Sequence, residues 1–178
     1  MSISITLHRS GTSRTEQVDT TTTGLDLFGS ERDVVAMRVD GNLVDLQREL
    51  HDGAEVEPVE ATSEDGLNII RHSCTHVMAQ AVQQLYPEVN LGIGPFITDG
   101  FYYDFGNIEP VTPEVLTELE KRMKRIVKEN QRFVRRVTSE ESAREELADQ
   151  PYKLELIGTK GKGADGASVE VGGAELTI

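Results

Sequence analysis

Two histidines four residues apart carry the clearest chemical signal in this chain. The segment RHSCTHVMAQAV, residues 71–82, sets His72 and His76 in a run that otherwise has the apolar spacing of a helix. Residues i and i+4 of a helix lie about 6 Å apart on one face, a spacing that can grip a metal ion or a shared substrate group. Cys74 offers itself as a further ligand, yet at two residues from either histidine it points about 160 to 200° away, into the apolar side. A zinc peptidase of the H-E-x-x-H type is excluded, because Ser73 stands where the general-base glutamate is needed. Two ligands on one helix also fall short of the three or four protein ligands that zinc takes, so no metal site is expected here. The glycine motif GKGADG, residues 161–166, has the G-x-G-x-x-G spacing of a dinucleotide fingerprint. The adjoining ASVEV alternates as a strand where a helix N-terminus would have to meet the pyrophosphate, so the motif reads as a loop between strands. No Walker phosphate loop is present.

A net charge of -13 argues against a nucleic-acid partner until its distribution is considered. Residues 121–136, KRMKRIVKENQRFVRR, place Lys121, Arg122, Lys124, Arg125, Lys128, Arg132, Arg135 and Arg136 against Glu129 alone, a net +7 that leaves -20 for the remainder. Such a strip is either a phosphate-binding field or a solvated helix face supported by pairs such as Glu118 with Arg122 and Glu120 with Lys124. The hydrophobic share of 37% and charged share of 28% are those of a globular chain, and no run approaches the roughly 18 apolar residues of a membrane span. The start, MSISITLHRSGTSR, lacks the basic and apolar blocks of a secretory signal, and the single Cys74 cannot form an internal disulfide. A cytoplasmic protein with no membrane partner is the expectation.

The elements that must position these groups read as α+β. In the first 61 residues ISITLHR alternates as a strand and TTTGLDLFGS fits a short helix. VVAMRVDGNLVDL makes two strands around an Asp40-Gly41 turn, and GAEVEPVEA closes the set, with Pro58 at a strand end or on an edge. This is a ubiquitin-like β-grasp order. EATSEDG then links to a helix capped by Thr62 or Ser63 and running to Leu85, before Pro87. Its buried stripe is read as Leu67, Ile70, Cys74, Met78, Ala81 and Leu85, with both histidines opposite. LGIGPFITDGFYYDFGN is a hairpin turning at Asp99-Gly100, and five of the nine Phe and Tyr residues lie between 96 and 105. Phe101 and Phe105, sharing a face with Tyr103, read first as ordinary sheet core. A helix over 113–130 buries Leu116, Leu119, Met123, Ile126 and Val127; another spans 139–149 with Ser139 as N-cap; YKLELI reads as a strand before a glycine-rich tail.

Taken together, RHSCTHVMAQAVQQLYP, GIGPFITDGFYYDF, LEKRMKRIVKENQRF and PYKLELI resemble the editing domain of threonyl-tRNA synthetase, and the first 60 or so residues are similar to the TGS domain that precedes it. Alanyl-tRNA synthetase editing domains are similar in the HxxxH helix, but the TGS-like start favours the threonyl family. The resemblance implies a TGS domain over 1–61 and an editing domain of antiparallel sheet and long helices over 62–178, incomplete at its C-terminal end. It implies catalytic roles for His72, His76 and Lys153, with Tyr103 in the same pocket, and hydrolysis of the seryl ester at the 3′ end of mischarged tRNA(Thr). Lys121, Arg125, Lys128, Arg132, Arg135 and Arg136 are then the residues expected to meet the acceptor arm. The C-x-x-x-H element that completes the family's site is not found before Ile178, so an N-terminal fragment is expected. No cofactor is expected in it; ATP, magnesium and zinc, and a homodimer interface, go with the ligase domain that such a fragment lacks. The alternative is a non-catalytic RNA-binding or regulatory module built from the TGS-like unit and the basic helix.

Overall fold

The computed structural model describes residues 1–134, 136–158 and 176–177. The chain divides into two compact units, Met1–Ile70 and Arg71–Ile178, with the division inside one helix.

In the first unit, strands β1 (Ser2–Arg9) and β2 (Thr12–Asp19) precede helix α1 (Gly24–Phe28) and strands β3 (Val34–Val39), β4 (Asn42–Val44) and β5 (Glu55–Glu60). They form one mixed sheet of order β2-β1-β5-β3-β4, in which β1 and β5 are parallel and the other neighbours antiparallel. Alternation along β1 sends Ile3, Ile5 and Leu7 to one face, where they meet Phe28, Met37 and Val56. Asp40 and Gly41, with φ of 51° and 79°, make the expected two-residue turn between β3 and β4. Strand β2, TSRTEQVD, carries little apolar alternation because it is an exposed edge strand. Pro58 departs from expectation: β5 is an inner strand. Its ladder with β1 covers only Glu55 and Val56, so the proline stands where β1 no longer pairs.

Helix α2 (Glu64–Leu85) starts where Ser63 Oγ accepts the Gly66 N–H at 3.1 Å, and it ends ahead of Pro87. Beyond it lie β6 (Asn90–Leu91), β7 (Phe96–Ile97), β8 (Gly100–Phe101) and β9 (Phe105–Gly106), paired β6 with β9 and β7 with β8 as one bent ribbon. Five residue steps from Leu91 to Phe96 face four from Phe105 to Phe101, so the GIGP arm holds a bulge. Helix α3 (Pro113–Glu129) is capped by Thr112 and closed by Asn130 in the left-handed conformation, φ 50°. Strand β10 (Val137–Thr138), helix α4 (Glu140–Glu146, capped by Ser139) and helix α5 (Pro151–Gly158) come next, and β11 (Leu176–Thr177) pairs with β10. The core of this unit joins Ala81 and Val82 of α2, Val89, and Leu119 and Ile126 of α3, with Leu91 and Phe105 of the ribbon packed against it.

Three expectations are corrected. PYKLELI is helix α5, not a strand: Pro151 needs no N–H in the first turn, and the Lys153 and Leu154 N–H groups both donate to the Gln150 carbonyl. Six residues with apolar Tyr152, Leu154, Leu156 and Ile157 are too short to separate period 2 from period 3.6. In α2, Leu67 (39% exposed) and Ile70 (43%) are not buried, while Thr75, Ala79 and Val82 are; the apolar cluster against this helix takes in Val77, Met78, Ala81, Val82 and Leu85 but neither Leu67 nor Ile70. In α3, Leu116 (58%) and Val127 (65%) are exposed, while Val115 and Met123 turn toward the core. The GKGADG loop lies outside the described residues.

Candidate functional site

On α2 the helical repeat brings the two imidazoles together on the face opposite Met78 and Leu85. Their Nε2 atoms are 3.2 Å apart and the rings meet edge to face, centroids 4.8 Å apart. At that distance one Nε2 donates and the other accepts, so two neutral rings must hold opposite tautomers. Protonating both would set two donors and two like charges against each other. Although the His76 side chain keeps an open edge to solvent, loss of hydration, then the His72 and Lys153 charges, hold its pKa below the ordinary histidine value. At neutral pH His76 is therefore an uncharged imidazole, able to accept a proton or a hydrogen bond. Between the histidines, Thr75 is almost fully buried, and its Oγ1 donates to the His72 carbonyl at 2.7 Å. Sequence reasoning missed this polar core residue, since its hydroxyl is satisfied within its own helix.

Lys153 comes from α5, and burial lowers its ammonium pKa. Gln150 anchors the start of that helix by accepting the Leu91 N–H at 2.8 Å. The Lys153 charge reaches His76, so α2 and α5 bring three of the expected groups into one electrostatic neighbourhood. Tyr103 has contacts of its own. Its ring stacks on Phe105 at 4.6 Å and 13°, lies against Gly94, and burial raises its phenol pKa. A hollow of about 380 Å³ between the ribbon and α5, lined by Ile93, Asp104, Phe105, Tyr152 and Leu156, contains none of these four residues. No three His, Cys, Asp or Glu side chains converge among the described residues in a way that could hold a metal ion. Cys74 is half-buried, with its thiol pKa raised by burial, and is a poor nucleophile.

The basic strip separates into paired and unpaired cations. Arg122 donates to Glu118 and Lys124 to Glu120, as the i, i+4 spacing predicts, and Arg136 is held by Glu146. Lys121, Arg125, Lys128 and Arg132 are exposed and have no ion-pair partner among the described residues. The first three recur at i, i+4 and i+7 and so share one face of α3, away from Leu119 and Ile126. Arg132 lies past the end of α3, and Arg135 falls outside the described residues.

Sequence reasoning also missed two aromatic rings flanking the histidines. Phe96 meets His72 edge-on at 6.3 Å, and Phe133 meets His76 at 5.7 Å. The available signal for Phe133 was an aromatic residue interrupting a basic run.

No protein-family profile matches the chain. Among individual proteins it is 96% identical over all 178 residues to a threonine–tRNA ligase of Cutibacterium acnes, covering 26% of that protein. It is 64% identical over 168 residues to the threonine–tRNA ligase of Streptomyces avermitilis, which is 93% of this chain and 26% of that one. To the threonine–tRNA ligase of a Parafrankia species it is 53% identical over 178 residues, 99% of this chain and 27% of that one. The chain thus spans about a quarter of the length of the curated relatives it matches. No helix among the described residues is long and apolar enough to cross a membrane. Over its whole length the chain therefore matches an N-terminal part of the threonine–tRNA ligases, which are aminoacyl-tRNA synthetases.

Proposed function

We propose that this chain is the proofreading region of a cytoplasmic threonine–tRNA ligase, with a TGS domain over 1–61 and an editing domain over 62–178 that hydrolyses the seryl ester of mischarged tRNA(Thr). The carrying observation is the His72–His76 pair, 3.2 Å apart and within the field of Lys153, in a sequence that matches these ligases throughout. The need for such a site is physical. Serine lacks one methyl group of threonine, and a methyl discriminates by only about 10- to 200-fold, so a second, hydrolytic sieve supplies the remaining accuracy.

In this reading the neutral His76 takes a proton from the attacking water as its oxygen bonds the ester carbon, and returns it to the ribose oxygen as the ester C–O bond breaks and serine leaves; His72 fixes the orientation of His76 through the shared Nε2 contact. Lys153, on α5, offsets the negative charge that develops on the ester oxygen. Tyr103 forms part of the pocket wall. Lys121, Arg125, Lys128 and Arg132 meet the acceptor-arm phosphates. The editing chemistry needs no metal or nucleotide held by this chain; ATP, magnesium, zinc and the homodimer contact belong to the rest of the longer ligase.

The test is substrate preference. The longer ligase carrying this segment is expected to hydrolyse seryl-tRNA(Thr) in preference to threonyl-tRNA(Thr); equal rates on both would refute a sieve. The stripe of unpaired cations on α3 favours a second reading, an RNA-binding module without chemistry, for which seryl-tRNA is bound but not hydrolysed faster than in water.

A further inference from the structure

We infer that Gln150 is a positioning residue for Lys153: its side-chain amide clamps the first turn of α5 to strand β6 and so holds the ammonium group within reach of the histidine pair. The inference rests on the proofreading reading. Gln150 immediately precedes α5 and is half-buried. Its Oε1 accepts the Leu91 N–H at 2.8 Å, and its Nε2 donates to the Val89 carbonyl at 3.4 Å. A residue on a parallel neighbouring strand, opposite Asn90, would bond the same two groups, so the amide stands in for a further strand beside β6. On the main chain, the Lys153 N–H at 3.0 Å and the Leu154 N–H at 3.1 Å both donate to the Gln150 carbonyl. One residue thus carries the side-chain bonds to β6 and the backbone bonds that open the helix. Lys153 lies three positions on, in the turn those backbone bonds close.

The other end of the clamp leads to the helix that carries the histidines. The Tyr86 N–H donates to the Val82 carbonyl at 2.7 Å and the Val89 N–H to the Tyr86 carbonyl at 3.1 Å, so α2 passes into β6 through a hydrogen-bonded turn. Val89 is almost fully buried and shares one apolar cluster with Ala81 and Val82 of α2. A continuous path of packing and hydrogen bonds therefore runs from α2 through Val89 to Gln150 and on to Lys153. The choice of residue fits this role. Ser, Thr, Asp or Asn ahead of a helix turn their side chains to its own free N–H groups, whereas Gln150 turns its longer side chain to a strand. Lys153 is itself half-buried, which limits how far its stem can compensate for a displaced helix.

The test is single-turnover deacylation of seryl-tRNA(Thr) by the longer ligase carrying this segment, with Gln150→Met made alone and on a Lys153→Met background. Gln150→Met keeps the length of the side chain and deletes both bonds to β6. Deacylation is expected to fall by about 10- to 100-fold, the scale set by a displacement of about 1 Å, while charging with threonine persists. On the Lys153→Met background the same change should cost less than about 2-fold, because the group it positions is already gone. The acid limb of the pH profile, set by His76, should move to higher pH in Gln150→Met, the direction in which Lys153→Met moves it. The Lys153 charge helps hold the His76 pKa down, and a displaced charge does so less. Gln150→Glu, which keeps an acceptor for the Leu91 N–H but has no donor for the Val89 carbonyl, is expected to lose less than Gln150→Met, and it decides by the same comparison if Gln150→Met fails to fold. An unchanged rate in Gln150→Met, or equal fold losses on the two backgrounds, would overturn the positioning role and leave Gln150 as an anchor of the fold. If the unaltered ligase hydrolyses seryl-tRNA and yet shows that outcome, the proofreading reading stands and only the positioning role falls. No hydrolysis of seryl-tRNA by the unaltered ligase overturns both.

Discussion

Replacing Gly94 with alanine forces a collision with Tyr103. An ideal Cβ at position 94 would lie 2.2 Å from Cδ2, 2.6 Å from Cε2 and 3.1 Å from Cγ of that ring. Carbon atoms in ordinary contact sit about 3.5 to 4.0 Å apart, so the ring must retreat by more than about 1 Å. Retreat disturbs its stacking on Phe105, whose ring lies 4.6 Å away at 13°. Overfilling of this kind costs about 1 to 3 kcal/mol, and a disturbed aromatic pair adds about 0.5 to 1 kcal/mol, so a loss of about 2 to 3 kcal/mol is expected. For a unit near 100 residues this corresponds to a fall in Tm of roughly 8 to 15 °C. Thermal unfolding followed in the near-UV reads it. A double variant separates collision from general damage: Gly94→Ala on a Tyr103→Ala background meets no ring and should cost about 0.5 kcal/mol or less beyond Tyr103→Ala alone. Unchanged Tm in Gly94→Ala, or full additivity in the double variant, would refute the packing on which the placement of Tyr103 rests.

The remaining groups give outcomes of their own. His76 has a pKa lowered in the folded protein, so the unfolded chain takes up its proton first as pH falls. Its contribution to stability is therefore whole above the unfolded value of about 6.5 and is lost as pH falls from there through the folded pKa; urea unfolding at several pH values should show a flatter profile in this window for His76→Asn. Lys153→Met removes one of the charges acting on His76, so NMR titration should move its pKa partway back up, burial being the larger cause. Thr75→Val deletes the 2.7 Å bond to the His72 carbonyl while keeping the shape, a loss of about 1 kcal/mol visible as a lower urea midpoint with unchanged slope. With Lys121, Arg125, Lys128 and Arg132 on phosphates, tRNA affinity should fall with salt at a log–log slope of about -3, shallower by about 2 in Arg125→Glu plus Arg132→Glu; a slope near zero would return the strip to solvent.

How far these features were legible in the sequence depends on whether the signal was local. The Asp40-Gly41 turn, the Ser63 and Ser139 caps and the stop before Pro87 are set within a few residues, and each is where its chemistry predicts. The histidine pair was legible for the same reason, since i, i+4 spacing alone fixes it. Burial along α2 and α3 was not, because the stripe facing a partner depends on where that partner begins and ends. Leu67, Ile70, Leu116 and Val127 are apolar in the right period but exposed. YKLELI was ambiguous between two periods, and the Gln150 side chain that anchors the start of its helix bonds Leu91 and Val89, about sixty positions away. The Phe133 contact also needed the tertiary fold: it depends on the turn at Asn130 and on the Gln80–Gln131 bond.

The most direct measurement is single-turnover deacylation of seryl-tRNA(Thr) by the longer ligase, comparing the unaltered protein with His76→Ala and with Lys153→Ala, and charging with threonine measured alongside. A positioned proton acceptor contributes about 100- to 10,000-fold, so deacylation should fall by at least about 100-fold in His76→Ala while charging with threonine persists. Seryl-tRNA hydrolysis at the unaltered rate in both variants would contradict the assignment of this site to proofreading.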